Sequence, residues 1–207
     1  MKIETLALVN GEWNIKNEIE DSRSVNLVTV FGDTDEFIVK DNYEYLRKRY
    51  PNAAVIGCTS AGNIQGERIS DSKLVATAVS LDSSKVVLNA IEFSDDDDIK
   101  EVSKELAGKF DENGLKHIFI LADGLNLNGS ELVKGFNEGT DIPKTGGLAG
   151  DGAKFEQTFV IANAPAKQRV IAALGFYGDA LSIGNGYYGG WSEFGTQRLV
   201  TKSKANV

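Results

Sequence analysis

Two stretches of this chain repeat the same order of unlike elements, and that order restricts the fold more than any single motif does. The apolar run Leu27-Val28-Thr29-Val30-Phe31 ends in Gly32-Asp33, and Ile118-Phe119-Ile120-Leu121-Ala122 ends in Asp123. At the same spacing Gly57-Cys58-Thr59-Ser60-Ala61-Gly62 falls on Gly147-Leu148-Ala149-Gly150-Asp151-Gly152. After a short slip, residues 86–93 fall on 170–177. Each half, about 25–93 and 116–177, reads strand, acidic turn, helix, strand, glycine-bounded loop, strand, strand. A chance match of short apolar runs is the alternative; the shared order of unlike elements favours duplication. Two like halves pack about a pseudo-twofold, and a cleft between them accepts a ligand.

The opening 1–15 reads as a strand or hairpin punctuated by Gly11. Asp33, Thr34 and Asp35 offer caps for a helix to about residue 50, with Phe37, Ile38, Tyr45 and Leu46 as its apolar contacts and Pro51 as its stop. Residues 74–81 and 85–93 read as a hairpin around Asp82-Ser83-Ser84, and 157–163 with 169–177 as another. A further strand is expected over 180–186. The acidic run Asp95-Asp96-Asp97-Asp98 sits where a helix N-terminus favours negative charge, and Ile99, Val102, Leu106 and Phe110 follow at helical spacing. Asn128-Gly129-Ser130 introduces a helix with Leu132, Val133 and Phe136 on one side. Strands that partly alternate with helices and partly pair as hairpins predict an α/β fold of mixed sheets, layered helix–sheet–sheet–helix with three main helices. A doubly wound parallel sheet would want a helix after every strand.

Composition narrows the partners. The chain of 207 residues carries a net charge of −8, which disfavours nucleic acid and anionic membrane surfaces. One cysteine precludes an internal disulfide and suits a reducing compartment, so a cytoplasmic location is expected. No apolar run approaches the roughly 20 residues that span a bilayer.

Gly57-Cys58-Thr59-Ser60-Ala61-Gly62 follows a buried strand and lacks the Gly-Lys-Ser/Thr closure of a phosphate loop. It reads either as a tight turn between the halves or as a ligand loop, with the hydroxyls of Thr59 and Ser60 as contacts. Cys58 as a nucleophile needs a base or a depressed pKa, and the lone His117 opens a strand whereas Cys58 follows the end of its own. A small buried cysteine is the favoured reading. A single histidine also disfavours a Ser-His-Asp triad and precludes a multi-histidine metal site, so no enzyme, metal or cofactor is expected. The stretch from Asp123 through Asn128 and Ser130 lies at a strand end and a helix start, where α/β folds place ligand contacts; capping is its structural alternative. With Gly147 and Asp151, and with Asp33, these loops form an acidic pocket suited to a zwitterion such as an amino acid.

The succession Gly57-Cys58-Thr59-Ser60-Ala61-Gly62, Ala122-Asp123-Gly124-Leu125-Asn126-Leu127-Asn128-Gly129-Ser130-Glu131-Leu132 and Gly146-Gly147-Leu148-Ala149-Gly150-Asp151 resembles the N-terminal part of FIST domains. These are ligand-sensing modules of signal transduction proteins and of some F-box proteins. The resemblance covers roughly residues 25–200, including Gly190-Trp191-Ser192-Glu193-Phe194-Gly195 and Thr201-Lys202. It implies one FIST N-terminal-like domain over 1–207 that leads toward a C-terminal FIST half. It also implies a cytoplasmic sensor that binds a small ligand and relays its state to a signalling output. The loops read above supply the expected contacts, Gly57, Cys58, Thr59, Ser60, Gly62, Asp123, Asn128, Ser130, Gly147 and Asp151, and the two halves are expected to close around the ligand. Two alternatives stay open: a protein-recognition module of an F-box-like adaptor, presenting Tyr187, Tyr188 and Trp191, or a hydrolase using Cys58 or Ser60.

Overall fold

The computed structural model describes residues 1–70, 73–186, 189 and 192–202. Strands β1 (Lys2–Val9) and β2 (Glu12–Lys16) form the opening hairpin, turning at Asn10 and Gly11 with φ of 53° and 80°. Two positive φ values match the twist of a two-residue hairpin loop. Next come β3 (Leu27–Gly32), α1 (Thr34–Phe37), α2 (Lys40–Arg49) and β4 (Ala54–Thr59). A small hairpin, β5 (Asn63–Gln65) and β6 (Arg68–Ser70), leads to β7 (Leu74–Ser80). Then follow β8 (Lys85–Glu92), α3 (Ile99–Ala107), β9 (Leu115–Ala122), α4 (Gly129–Gly139), β10 (Lys144–Leu148), β11 (Val160–Ala162) and β12 (Val170–Tyr177).

The strands make a six-stranded sheet, β11-β4-β3-β7-β1-β2, and a four-stranded sheet, β10-β9-β12-β8. Both are mixed: β3 with β4 and β9 with β10 are parallel, and the remaining pairs are antiparallel. Three apolar layers hold them. One joins Val28, Val30 and Val55 to Phe37, Tyr43 and Leu46 of the first helices. Another joins Ile118, Ile120 and Ile171 to Leu106, Leu132 and Phe136 of α3 and α4. The third lies between the sheets, where Ile56 and Cys58 meet Leu121, Ala172 and Leu174. The molecule is therefore the expected helix–sheet–sheet–helix sandwich, and strands such as β3 and β9 are mostly apolar because both of their faces are covered.

Within each sheet four strands share one plan, β4-β3-β7-β1 in the first and β10-β9-β12-β8 in the second. Val30 lies opposite Gly57 and Ala76, and Ile120 lies opposite Gly146 and Ala173. Equivalent strand-end bonds recur: Asp33 N to Lys73 O at 2.9 Å matches Asp123 N to Val170 O at 3.0 Å. Ser60 N to Gly32 O at 3.0 Å likewise matches Ala149 N to Ala122 O at 2.8 Å. In this plan β12 takes the place of β7, and β8 that of β1. Residues 86–93 and 170–177, matched by sequence, are instead antiparallel neighbours, with Ile91 opposite Ile171.

Several expectations are corrected. Neither predicted hairpin forms, because both edges of β7 are taken by β1 and β3 and both edges of β12 by β8 and β9. The chain after β7 must therefore cross to the other sheet, and β11 pairs with β4. Residues 180–186 form no strand; glycines at 184 and 186 interrupt them. Among the described residues four α-helices stand where three were expected, since the helix expected to 50 breaks at Val39, whose extended backbone (ψ 112°) separates α1 from α2. Phe37 and Leu46 are buried as foreseen, but Ile38 is 48% exposed and Tyr43 takes the inward place. Tyr45 stacks on Trp13 with ring centroids 5.4 Å apart. Asp98 caps α3 through the Lys100 and Glu101 amides. Tyr187, Tyr188 and Trp191 lie outside the described residues. Among the described residues no helix is long and apolar enough to cross a membrane.

Candidate functional site

The glycine-bounded loop begins later than its spelling suggests. Gly57, Cys58 and Thr59 belong to β4 itself, and the chain leaves the sheet at Ser60. Cys58 faces the inter-sheet core, where burial pushes its thiol up to about 12. A thiol so protonated and enclosed is a packing residue at neutral pH. Native protein is expected to react with iodoacetamide at least about a hundredfold more slowly than protein unfolded in guanidinium. Equal rates, followed by mass spectrometry, would refute this.

Thr59 is fully buried, and its Oγ1 accepts from Phe159 N at 3.1 Å. Its carbonyl accepts from Gly150 N at 2.9 Å, so the loops that follow β4 and β10 do meet. Ser60 Oγ donates to Asn63 Oδ1 at 2.8 Å, with Gly62 O as a second acceptor at 3.2 Å, and Gly62 is exposed.

Asp123 sits beside this seam and is fully buried. Its Oδ1 accepts from Leu125 N at 3.0 Å, Asn126 N at 3.2 Å and Thr158 Oγ1 at 2.6 Å. Its Oδ2 accepts from Asn126 Nδ2 at 2.8 Å and Arg169 N at 2.6 Å. Burial alone would raise the carboxyl pKa; the bonds from Thr158, Arg169, Asn126 and Leu125 outweigh it and hold it below the ordinary value. Asp151 binds the backbone amides of Phe155, Glu156 and Gln157, with Glu156 N at 2.6 Å. Those bonds, Glu156 first, also depress its pKa. Asn128 caps α4 by accepting from Ser130 N at 2.9 Å. Asp33 pairs with Lys73 Nζ at 3.1 Å. The predicted residues thus gather near the ends of parallel strands, but these three aspartates already hold internal partners.

A shallow hollow of about 460 Å³ borders Leu125, Asn126 and Asn128, and a more apolar space lies beyond it. A groove of about 410 Å³ runs between α4 and β10, lined by Leu132, Val133, Phe136, Lys144, Gly147 and Leu148 among others. Of the predicted site residues, Gly147 lines it. Val133 and Leu148 are 52% and 46% exposed. Its polar end is Lys144, whose Nζ donates to Asn137 Oδ1 at 3.0 Å and Thr140 O at 2.9 Å. Burial pulls that ammonium below the usual lysine pKa. Thr145 meets His117 Nε2 at 2.8 Å, and burial lowers the imidazole pKa. Sequence reasoning passed over the groove because Leu132 and Phe136 read as core, which they also are. The available signal was Gly146-Gly147 in a strand beside a helix carrying Val133.

A comparison with curated proteins finds none that matches. The family model of the FIST N domain matches residues 26–207, nearly the whole chain, including the three glycine-rich stretches and the strand ends described above. The chain therefore belongs to the FIST N-domain family, generally a sensory domain of signal transduction and not one known for catalysis.

Proposed function

We propose that this domain senses a small, largely apolar ligand carrying a carboxylate, such as an apolar amino acid, and relays its presence to an attached signalling output in the cytoplasm. The observation that carries this reading is the α4–β10 groove. Its walls are Leu132, Val133 and Phe136, its floor is the backbone of Gly146 and Gly147, and a lysine stands at one end. Concave, mostly apolar sites with a few convergent polar groups are the usual form of small-molecule sites. Lys144 supplies a cation for a carboxylate, and the glycines let a ligand reach the sheet. Gly147 remains the link to the loop residues Ser60, Gly62, Asn128, Ser130 and Asp151, which border the same strand ends. The inter-sheet space is filled by Ile56, Cys58, Leu121 and Leu174, so the moving part in this reading is α4 against β10 rather than one half against the other. A ligand signals only by binding one arrangement better than the other.

A thermal-shift series over the amino acids and related small acids tests this. At about 100 times its Kd, a ligand adds about 2.7 kcal/mol, or some 5–10 °C for a chain of this size. Leucine, isoleucine, phenylalanine or their keto acids are expected to give the shift, and Lys144→Gln to reduce it. A shift confined to aspartate or lysine, or one indifferent to Lys144→Gln, would overturn the assignment.

A further inference from the structure

The two sheets share a plan, but their outer edges are finished differently. In the six-stranded sheet β11 covers β4, with Ile161 opposite Gly57. There Thr59 N donates to Phe159 O at 3.0 Å, and Asn163 N to Val55 O at 2.9 Å. Val55, Gly57 and Thr59 thus turn their backbone groups outward, and Phe159 and Ile161 pack into the apolar layer under the first helices. In the four-stranded sheet no strand lies outside β10 among the described residues. Ile118 N donates to Pro143 O at 3.0 Å and Ala149 N to Ala122 O at 2.8 Å. A parallel ladder alternates, so Lys144, Gly146 and Leu148, counterparts of Val55, Gly57 and Thr59, face the open edge. The groove beside α4 occupies the place that Ile161 fills in the first sheet.

We infer that the β10 edge and the α4 groove form a strand-addition site for an extended segment of a partner protein, paired antiparallel with Lys144–Leu148. β11 shows what such an edge accepts, since in its register Phe159, Ile161 and Asn163 fall on the counterparts of Leu148, Gly146 and Lys144. The segment carries apolar residues at two alternate positions, which enter the groove against Val133 and Phe136. Two residues further on, it carries a carboxylate opposite Lys144. That lysine contacts the neutral oxygens of Asn137 and Thr140 and belongs to none of the ion pairs among the described residues, so an acidic group completes its charge. Main-chain bonds supply affinity in this mode, and the alternate side chains supply selectivity. The inference goes beyond the small-ligand reading and does not rest on it, although a ligand and a strand would exclude one another from the groove.

The test uses the ligand-free protein and a blocked, fluorescein-labelled peptide, Thr-Phe-Val-Ile-Ala-Asp, which copies residues 158–163 with aspartate in the place of Asn163. Saturable binding by anisotropy is expected, with the Gly146 and Leu148 amides protected from hydrogen exchange in the complex. Val133→Asp, at a half-exposed position, is expected to weaken binding by about tenfold or more, which is 1.4 kcal/mol per decade. No saturable binding, equal binding of a scrambled peptide, or exchange at Gly146 and Leu148 unchanged by the peptide would each overturn the site. Concentration-dependent protection of those two amides without peptide would place a second copy there and overturn the choice of partner.

Discussion

Asp123→Ala is expected to lower the melting temperature by about 8–16 °C, corresponding to roughly 4 kcal/mol. Five donors converge on this carboxylate from Leu125, Asn126, Thr158 and Arg169, and alanine would leave the buried Thr158 hydroxyl and four part-buried N–H groups without this acceptor. An unsatisfied buried donor costs about 1–3 kcal/mol, and partial relaxation keeps the total below the sum. Asp123→Asn keeps the volume but substitutes a donor for one acceptor, so it should fall between wild type and alanine. The pH dependence has a definite sign. Because the folded pKa is depressed, this stability is present above the unfolded value of about 3.9 and is lost as pH falls through the folded pKa. The gap between wild type and Asp123→Ala should be level above about pH 5 and narrow as acid is added. A gap that widens in acid, or a melting change under about 2 °C, would show that the five bonds do not hold the loop.

The second large effect is expected at Gly57. A Cβ there would lie 2.0 Å from Val30 O and 2.6 Å from Val30 Cγ1. β4 is held between β3 and β11 and has no side to which it can move. Gly57→Ala should therefore cost about 3 kcal/mol or more, some 6–12 °C. Gly146 makes the same approach, with a Cβ 1.9 Å from Ile120 O, but β10 is an edge strand and can yield outward. Gly147 has nothing within 4 Å of its Cβ, so alanine there should stay within about 0.5 kcal/mol. Differential scanning calorimetry should order the variants Gly57→Ala, Gly146→Ala, Gly147→Ala from most to least damaged. A Gly147→Ala protein as damaged as Gly57→Ala would contradict the interstrand explanation.

These glycines also show what a sequence conceals. The letters of Gly57 and Gly62 look alike, yet Gly57 exists for a close approach between strands and Gly62 for an exposed turn. The apolar runs of β3 and β9 were legible because burial on both faces leaves no polar alternation. Asp33 and Asp123 were legible as strand-end acids, and the layered α/β class followed from the order of elements. What fills the acceptors of Asp123 was not legible, because Thr158 and Arg169 come from 35 and 46 residues away. The hairpins failed for a related reason. Nearness along the chain favours pairing, but an edge can be used once, and which edges remain is a property of the whole sheet. The groove was hidden for the same cause: that β10 is outermost is written nowhere in Lys144–Leu148.

The position of β11 bears on how the protein is made. The edge of β4 is sealed by a strand about a hundred residues later in the chain, with Phe159 N bound to Thr59 Oγ1. A nascent chain that has delivered β1 to β7 holds all the strands of its first half but still presents β4 with an unfinished, adhesive border. Completion waits on residues 160–162, so the early half depends on the late half for closure. Such long-range pairing slows folding and prolongs exposure to misassembly. Severing the chain between β7 and β8 would thus not yield two smaller proteins. It would yield one fragment with a raw edge and another whose β11 had lost its place.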